Sequence, residues 1–330
     1  MKDILLLTTG GTVAAAETES GLVPQKSPAA LLRYIPELSA ICRVTALEIC
    51  NLDSTDMTPS VWLKLISCLE ENYARYDGFV ITHGTDTLSY TAAALSYCIQ
   101  NSEKPIVLTG SQLPIDAAHS DASENLKNAF LVANSDLAGV SVVFGGRVIA
   151  GTRAKKMYTK RGAAFESVNF PYRAEVQNGE IQKNLQMTVD AIPSKCAPVV
   201  YHALNPRVAV FYCTPGVSPQ SLQAVADICD ALVLETYGLG GIPAYLYSTV
   251  ENILSSGKVL AVGTEVPFEG TDMSVYRVGR RAKEQLPIVE LGDMTTEAAT
   301  VKLMWALAQT NRAEEVRHLF CLPIAFDRRA

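Results

Sequence analysis

The stretch Gly78-Phe79-Val80-Ile81-Thr82-His83-Gly84-Thr85-Asp86-Thr87 opens with apolar, β-favouring residues and ends in hydroxyls, a carboxylate and a glycine. Phe79, Val80 and Ile81 suit a buried strand, whereas Gly, Thr and Asp suit a strand-to-helix turn and a helix N-cap. Outward from it the same grammar repeats. Residues 87–99 read as a helix, 105–108 as a strand, Thr109-Gly110-Ser111 as a second turn, 120–134 as a second helix and 140–144 as a further strand. Toward the N-terminus, strands are expected at 4–8 and 43–49. Between them and residue 78, Thr58-Pro59 supplies an N-cap and a first-turn proline, and Trp62, Leu65, Ile66, Leu69 and Tyr73 share one helical face. Such alternation makes successive βαβ units, hence a mainly parallel sheet flanked by helices.

From 151 to 206 the alternation gives way to a polar stretch with Tyr158, Lys160, Arg161, Asn178-Gly179 and Pro193, read as a connection containing a hairpin. Strands return at 207–213, 231–235 and 259–263, with helices at 218–228 and 295–309. The expected fold class is α/β. A large N-terminal domain over 1–185 would carry the loops with chemistry, 186–206 would be a linker, and 207–330 a smaller C-terminal α/β domain. Length agrees, because 330 residues exceed what one core ordinarily serves.

Hydrophobic residues make up 48% of the chain and charged ones 19%, the profile of a folded globular protein. The formal net charge is −6 and no basic run stands out, so neither nucleic acid nor an anionic membrane surface is an expected partner. Lys2 and Asp3 follow Met1, and the apolar run 4–7 is too short for a signal segment or a membrane span; a soluble, cytoplasmic protein is expected. Eight cysteines, at 42, 50, 68, 98, 196, 213, 229 and 321, form no C-x-x-C pair. They read as small buried hydrophobes in a reducing compartment, without a disulfide or a zinc site.

In a parallel sheet with right-handed crossovers, the loops leaving the carboxyl ends of the strands open on one side, and ligands bind there. Those loops carry Thr9-Gly10-Gly11-Thr12, Asn51-Leu52-Asp53-Ser54-Thr55, the Thr82–Thr87 turn and Thr109-Gly110-Ser111. Any one alone is ordinary turn chemistry. Four on one edge bring hydroxyls, two carboxylates and backbone N–H groups to one place, and the helix N-termini beyond them favour a small anion such as a carboxylate.

Gly10-Gly11 is no dinucleotide fingerprint, Gly238-Leu239-Gly240-Gly241 runs into Pro243, and there is no Walker lysine loop, G-x-S-x-G elbow or H-E-x-x-H. Of the four histidines, at 83, 119, 202 and 318, only His83 lies on the loaded edge, and at the end of a buried strand it reads as a hydrogen-bonded structural residue. The chemistry must therefore use Thr, Ser, Asp and a lysine. A threonine hydroxyl is a poor nucleophile until a base takes its proton, and a desolvated lysine steadied by a carboxylate can serve. Lys155 and Lys156 are the nearest by chain position, although with Arg153, Lys160 and Arg161 they read from composition as a solvated basic patch.

Taken together, Thr9-Gly10-Gly11-Thr12, Asp53-Ser54-Thr55, Ile81-Thr82-His83-Gly84-Thr85-Asp86-Thr87 and Leu108-Thr109-Gly110-Ser111-Gln112 resemble the L-asparaginase family of bacterial type, in its cytoplasmic type I branch. The likeness continues through Gly151-Thr152-Arg153-Ala154-Lys155-Lys156, Glu235-Thr236-Tyr237-Gly238 and Gly292-Asp293-Met294-Thr295-Thr296-Glu297-Ala298, so it spans nearly the whole chain. It implies hydrolysis of L-asparagine to L-aspartate and ammonia with no cofactor and no metal. By position, Thr12 matches the nucleophile, and Thr85, Asp86 and Lys156 match the second threonine with its activating pair. Asp53, Ser54 and Thr55 match the substrate-binding segment, to which Thr85 and Asp86 also belong. On this reading Asp86, with Asp53, pairs with the substrate ammonium, Ser54 holds the α-carboxylate, and Gly11 or a neighbouring N–H serves the oxyanion. The resemblance further implies a homodimer or homotetramer whose site is completed by a neighbour's C-terminal domain.

One position departs from the pattern. The family commonly places a tyrosine on the loop after the first strand, and the matching residue in Ser20-Gly21-Leu22-Val23-Pro24 is Leu22. The segment 14–28 still reads as a flexible lid. The alternatives are a glutaminase-asparaginase of broader specificity, the amidase subunit of a tRNA-dependent amidotransferase, which usually carries an extra N-terminal domain, and a catalytically silent binding protein for an acidic amino acid.

Overall fold

The computed structural model describes residues 1–18, 21–24, 26–184 and 197–329, with the backbone alone for 16–18 and 21–24. Its internal contacts divide the chain into two compact units, Met1–His202 and Ala203–Ala330. The segment expected to be a linker lies outside the described residues as far as 196. Beyond residue 196, Val199–Val200 pairs antiparallel with Ile99–Gln100 and so belongs to the first unit.

In the first unit five strands run parallel in the spatial order Arg43–Leu52, Asp3–Gly10, Gly78–Thr82, Pro105–Thr109, Gly139–Phe144. Ile4, Leu6, Val80 and Val107 pack on one face with Leu126 and Phe130 of the Ala122–Ala133 helix. Leu5, Leu7, Phe79, Ile81, Ile106 and Leu108 are equally buried. A sheet covered on both sides needs apolar residues at every position, which is why these strands read as continuous apolar runs. The Pro59–Tyr73 helix buries Trp62, Leu65, Ile66 and Leu69 along the face its spacing predicts. Each such side chain contributes about 1.5–3 kcal/mol over leaving it exposed.

Arg147–Ala150 folds back antiparallel on Gly139–Phe144 through Gly145 and Gly146, with φ of +56° and +76°. Ala174–Gln177 and Glu180–Lys183 extend the same edge as a hairpin, with Asn178 and Gly179 both at positive φ. Positive φ at both central residues is the two-residue hairpin turn that Asn-Gly favours. The polar connection thus contains a hairpin on the edge of the main sheet, and a further hairpin joins Ala154–Lys156 to Phe165–Ser167. Within the segment expected to act as a lid, Ala15–Thr18 pairs antiparallel with Gly21–Pro24, and Glu17 is in register with Leu22. Residues 19, 20 and 25 of that segment lie outside the described residues.

The second unit holds four parallel strands, Val208–Tyr212, Ala231–Thr236, Val259–Thr264 and Val289–Glu290, whose spatial order follows the chain. Leu232, Leu234, Leu260 and Val262 build its core with Leu222 and Val250 from two helices, Pro219–Asp227 and Tyr247–Ser255. Among the described residues no helix is long and apolar enough to cross a membrane.

Candidate active site

Strand order locates the crevice. The chain leaves Asp3–Gly10 to one side for Arg43–Leu52 and then crosses to the other side for Gly78–Thr82. Where successive connections part in this way, the loops diverge and open a cleft at the carboxyl ends of the two central strands. The second unit has no such reversal. At the switch point the Gly10-Gly11-Thr12 turn meets the His83–Thr87 turn.

Two glycines let those turns touch. Gly11 sits at φ +79°, ψ 178°, and a Cβ built on it would lie 2.4 Å from Gly84 N. A Cβ on Gly84 would lie 2.6 Å from Ser54 Oγ. The backbones of the two turns therefore stack on each other, with the Ser54 side chain packed against Gly84, a closeness that any side chain at either glycine would prevent. Thr12 opens the 3-10 turn Thr12–Ala14 directly beyond, half-buried. The Gly11 N–H donates to Leu52 O at 3.1 Å, so this donor, expected for an oxyanion, is already engaged.

Lys156 ends the Ala154–Lys156 strand, where Lys155 is in register with Glu166 and Lys156 with Phe165. Neighbouring strand residues point to opposite faces, so only one of the two lysines can turn toward the crevice. Lys156 does. Its Nζ donates to Thr85 Oγ1 at 2.7 Å and to Asp86 Oδ1 at 2.7 Å. The lysine side chain is 19% exposed and the aspartate 58%, while Thr85 is buried. Thr85 Oγ1 in turn donates to Gln112 Oε1 over a long 3.4 Å. Gln112 is held by its backbone N–H on both Asp121 carboxylate oxygens, 3.0 Å each, and by Nε2 on Arg161 O at 3.2 Å. Sequence reasoning did not single Gln112 out as a site residue; its place directly after Thr109-Gly110-Ser111 was the available signal.

Asp53 and Thr55 are exposed and bound to each other. Asp53 caps the turn Ser54–Asp56, its Oδ1 accepting from Thr55 N at 2.9 Å and Thr55 Oγ1 at 2.8 Å. One carboxylate oxygen and the Thr55 hydroxyl are therefore spent on local structure. Ser54 is buried against Gly84, and its carbonyl accepts from Thr87 Oγ1 at 2.7 Å. The solvated basic patch expected around Lys156 is found only in part: Lys160 and Arg161 are exposed, Arg161 lying over the Tyr158 ring, whereas Arg153 is fully buried over the Phe170 ring and Lys156 faces the crevice.

Among the described residues no three His, Cys, Asp or Glu side chains gather as a metal site would need. The described cysteines are free thiols, and burial pushes those of Cys42 and Cys98 up to about 11 and about 12.

The asparaginase N-terminal family matches residues 3–188, and the glutaminase/asparaginase C-terminal domain matches residues 207–320. An L-asparaginase of Thermococcus kodakarensis is 39% identical over 323 residues, 96% of each chain. The solved structure of the thermostable L-asparaginase from Thermococcus kodakarensis aligns with a TM-score of 0.92 at 38% identity, covering 99% of both chains. A Glutamyl-tRNA(Gln) amidotransferase subunit of Methanosphaera stadtmanae is 34% identical over 96% of this chain and 74% of its own length. With both family matches falling on the two halves of one chain and the likeness running end to end, this protein belongs to the asparaginase family.

Proposed function

We propose that the protein is an L-asparagine amidohydrolase that forms a threonine acyl-enzyme. The observation that carries this reading is the Lys156 ammonium shared between Thr85 and Asp86 at the switch point, beside the turn that bears Thr12, in a chain of this family. In the proposed cycle the Thr12 hydroxyl attacks the side-chain amide carbon, the carbon–nitrogen bond breaks, and the proton given up by the hydroxyl is taken by the leaving nitrogen, which departs as ammonia. Water then attacks the ester carbon, its proton passing by way of Thr85 and Lys156 to the departing Thr12 oxygen as the carbon–oxygen bond to Thr12 breaks, and aspartate is released. Asp86 holds the Lys156 ammonium in place beside Thr85. The α-ammonium pairs with Asp86 and the outer oxygen of Asp53, and Ser54 with nearby N–H groups holds the α-carboxylate, which fixes the amide in line for attack. Because the Gly11 N–H is spent on Leu52, we assign the oxyanion to N–H groups next to Gly11. Thr55 acts by holding Asp53.

We further propose that the chain works in the cytoplasm, divided into a catalytic N-terminal domain and a smaller C-terminal one, as a homodimer or homotetramer. Exposed apolar side chains such as Tyr212, Ile228 and Tyr276 support association. Light scattering of a single 35.6 kDa particle at working concentration would count against it.

The deciding experiment is ammonia release from L-asparagine, L-glutamine and D-asparagine at matched concentrations, with wild type and Thr12→Ala. Turnover that strongly prefers L-asparagine and disappears in the folded variant is the expected result. Near wild-type turnover by Thr12→Ala would remove the nucleophile assignment, and no release from any substrate by folded wild type would remove the enzyme reading.

A further inference from the structure

His83 stands in the middle of the Thr82–Thr87 turn and takes no part in the chemistry proposed above. It is wholly buried, as is Thr91, and Trp62 is nearly so. Trp62 Nε1 can only donate, and it donates to Thr91 Oγ1 at 2.9 Å. The Thr91 hydroxyl hydrogen is then available to His83 Nε2, 2.8 Å away. If Nε2 accepts, the ring proton sits on Nδ1, and Nδ1 faces the Gly84 carbonyl oxygen at 2.7 Å. A carbonyl can only accept. Both ends of the ring thus demand the same neutral tautomer. Burial pushes the imidazole down to about 4, the Gly84 carbonyl opposing, so this form holds throughout the neutral range.

The Gly84 carbonyl belongs to the peptide that leads into Thr85, so a bond on that oxygen sets the plane from which Thr85 and Asp86 project. The other side of the turn is closed as well. Gly84 lies against Gly11 and Ser54, His83 N donates to Thr109 O at 2.9 Å, and a Cβ on Gly110 would come within 2.3 Å of His83 O. With the turn gripped by three neighbouring strands, rotation of the Gly84–Thr85 peptide is the freedom left, and the imidazole removes it.

We propose that the relay from Trp62 through Thr91 and His83 to the Gly84 carbonyl positions Thr85 and Asp86 for amide hydrolysis, with His83 a positioning residue donating from Nδ1; the inference rests on the reading of the site given above. A packing role would ask only for a side chain of the right size, whereas positioning asks for a donor at the Nδ1 place. Asparagine can supply an N–H there, and glutamine, closer in length to the imidazole, reaches the Nε2 place instead.

The test compares His83→Asn with His83→Gln for kcat and KM of ammonia release from L-asparagine, with thermal melts of both. Losing one such hydrogen bond is worth up to about tenfold in rate. His83→Asn should exceed His83→Gln in kcat by more than about threefold, half of that span on a logarithmic scale. A smaller ratio, or a better glutamine variant, overturns the proposal. Nitrogen-15 spectra of imidazole-labelled wild type, assigned by loss of the signal in either variant, read the relay without catalysis. Nδ1 protonated, Nε2 unprotonated and no titration between pH 6 and 9 is the expected signature; a proton on Nε2, or titration in that window, overturns it. If wild type releases no ammonia, the functional reading falls and the spectrum alone decides whether the relay exists.

Discussion

Lys302 and Asp327 form an ion pair in the second unit with both side chains completely buried, Nζ to Oδ2 2.5 Å. The ammonium also donates to the Leu322 carbonyl, and Asp327 Oδ1 accepts from Ile324 N at 2.9 Å. Burial pulls the Lys302 amine below the usual ammonium range, and the Asp327 charge resists that pull. Asp327→Asn keeps the shape and the bond from Ile324 but strands the cation. Breaking one side of a buried pair costs about 3–5 kcal/mol, and because asparagine retains an acceptor the expectation is the lower end, about 3 kcal/mol. Against a domain stability of about 5–15 kcal/mol that is a large fraction, equivalent to roughly a 10 °C fall in melting temperature. Lys302→Met in the Asp327→Asn background removes the stranded charge, so the double variant should regain at least about 2 kcal/mol over the sum of the singles. Urea unfolding of the four proteins measures the cycle. Arg328 and Arg329 tie the same tail to the Glu290 and Leu291 carbonyls and to Asp293, so amide exchange over 290–293 should quicken in Asp327→Asn as well. A single variant within about 1 kcal/mol of wild type, or an additive cycle, would refute the claim that this pair anchors the C-terminal tail.

Lys156→Met should lower kcat for ammonia release by about 10²–10⁴-fold. Its melting temperature should hardly move, because the Asp86 partner is 58% exposed and screened by water; retention of activity within about tenfold would dissociate the lysine from the chemistry. Gly11→Ala meets backbone at 2.4 Å in a region of φ and ψ that only glycine occupies readily, so a loss of about 2–5 kcal/mol in unfolding free energy is expected, and a melt like wild type would show the two turns to be further apart. His83 gives an acid signature: its folded value of about 4 lies below the unfolded 6.5, so the unfolded chain takes up the proton first. Stability is therefore complete above pH 6.5 and declines as pH falls toward 4, by up to about 3 kcal/mol, a slope that His83→Asn should lack in urea titrations at stepped pH.

The parallel core was legible because burial on both faces writes apolar residues at every position of 4–7 and 79–81, and the Pro59–Tyr73 helix because one buried face writes the 3.6-residue period. The Arg277–Gln285 helix was not. Only Gly279 and Ala282 are buried in it, so there is no apolar period to read. The Arg147–Ala150 strand was overlooked although Gly145-Gly146 between apolar runs is a two-residue hairpin signal. Site geometry has a different obstacle. Lys156 meets Asp86 across 70 residues and Trp62 meets Thr91 across 29, and which of two adjacent lysines faces the crevice follows from a hairpin register that local pattern does not carry.

Threonine is the residue on which the two kinds of reading collide. Where parallel strands end and diverge, their last carbonyls lose ladder partners, and a threonine hydroxyl on the neighbouring strand can supply one. Thr9 donates to Thr82 O at 2.9 Å, Thr109 to Val143 O at 2.8 Å and, in the second unit, Thr236 to Gly263 O at 2.9 Å. Three threonines at strand ends thus perform one structural task in two separate sheets, and their presence in a loop motif is no mark of catalysis. Thr85 differs in its partners. Its hydroxyl lies between a lysine ammonium and a glutamine amide, and no described backbone carbonyl takes it or the hydroxyl of Thr12. A hydroxyl spent on a strand-end carbonyl has its proton directed into the fold, whereas one flanked by an ionisable group can exchange that proton with a substrate or a water. Sequence pattern places each of these threonines at or just beyond the carboxyl end of a strand; the identity of the hydrogen-bond partner is what separates those that finish a sheet from those that can act.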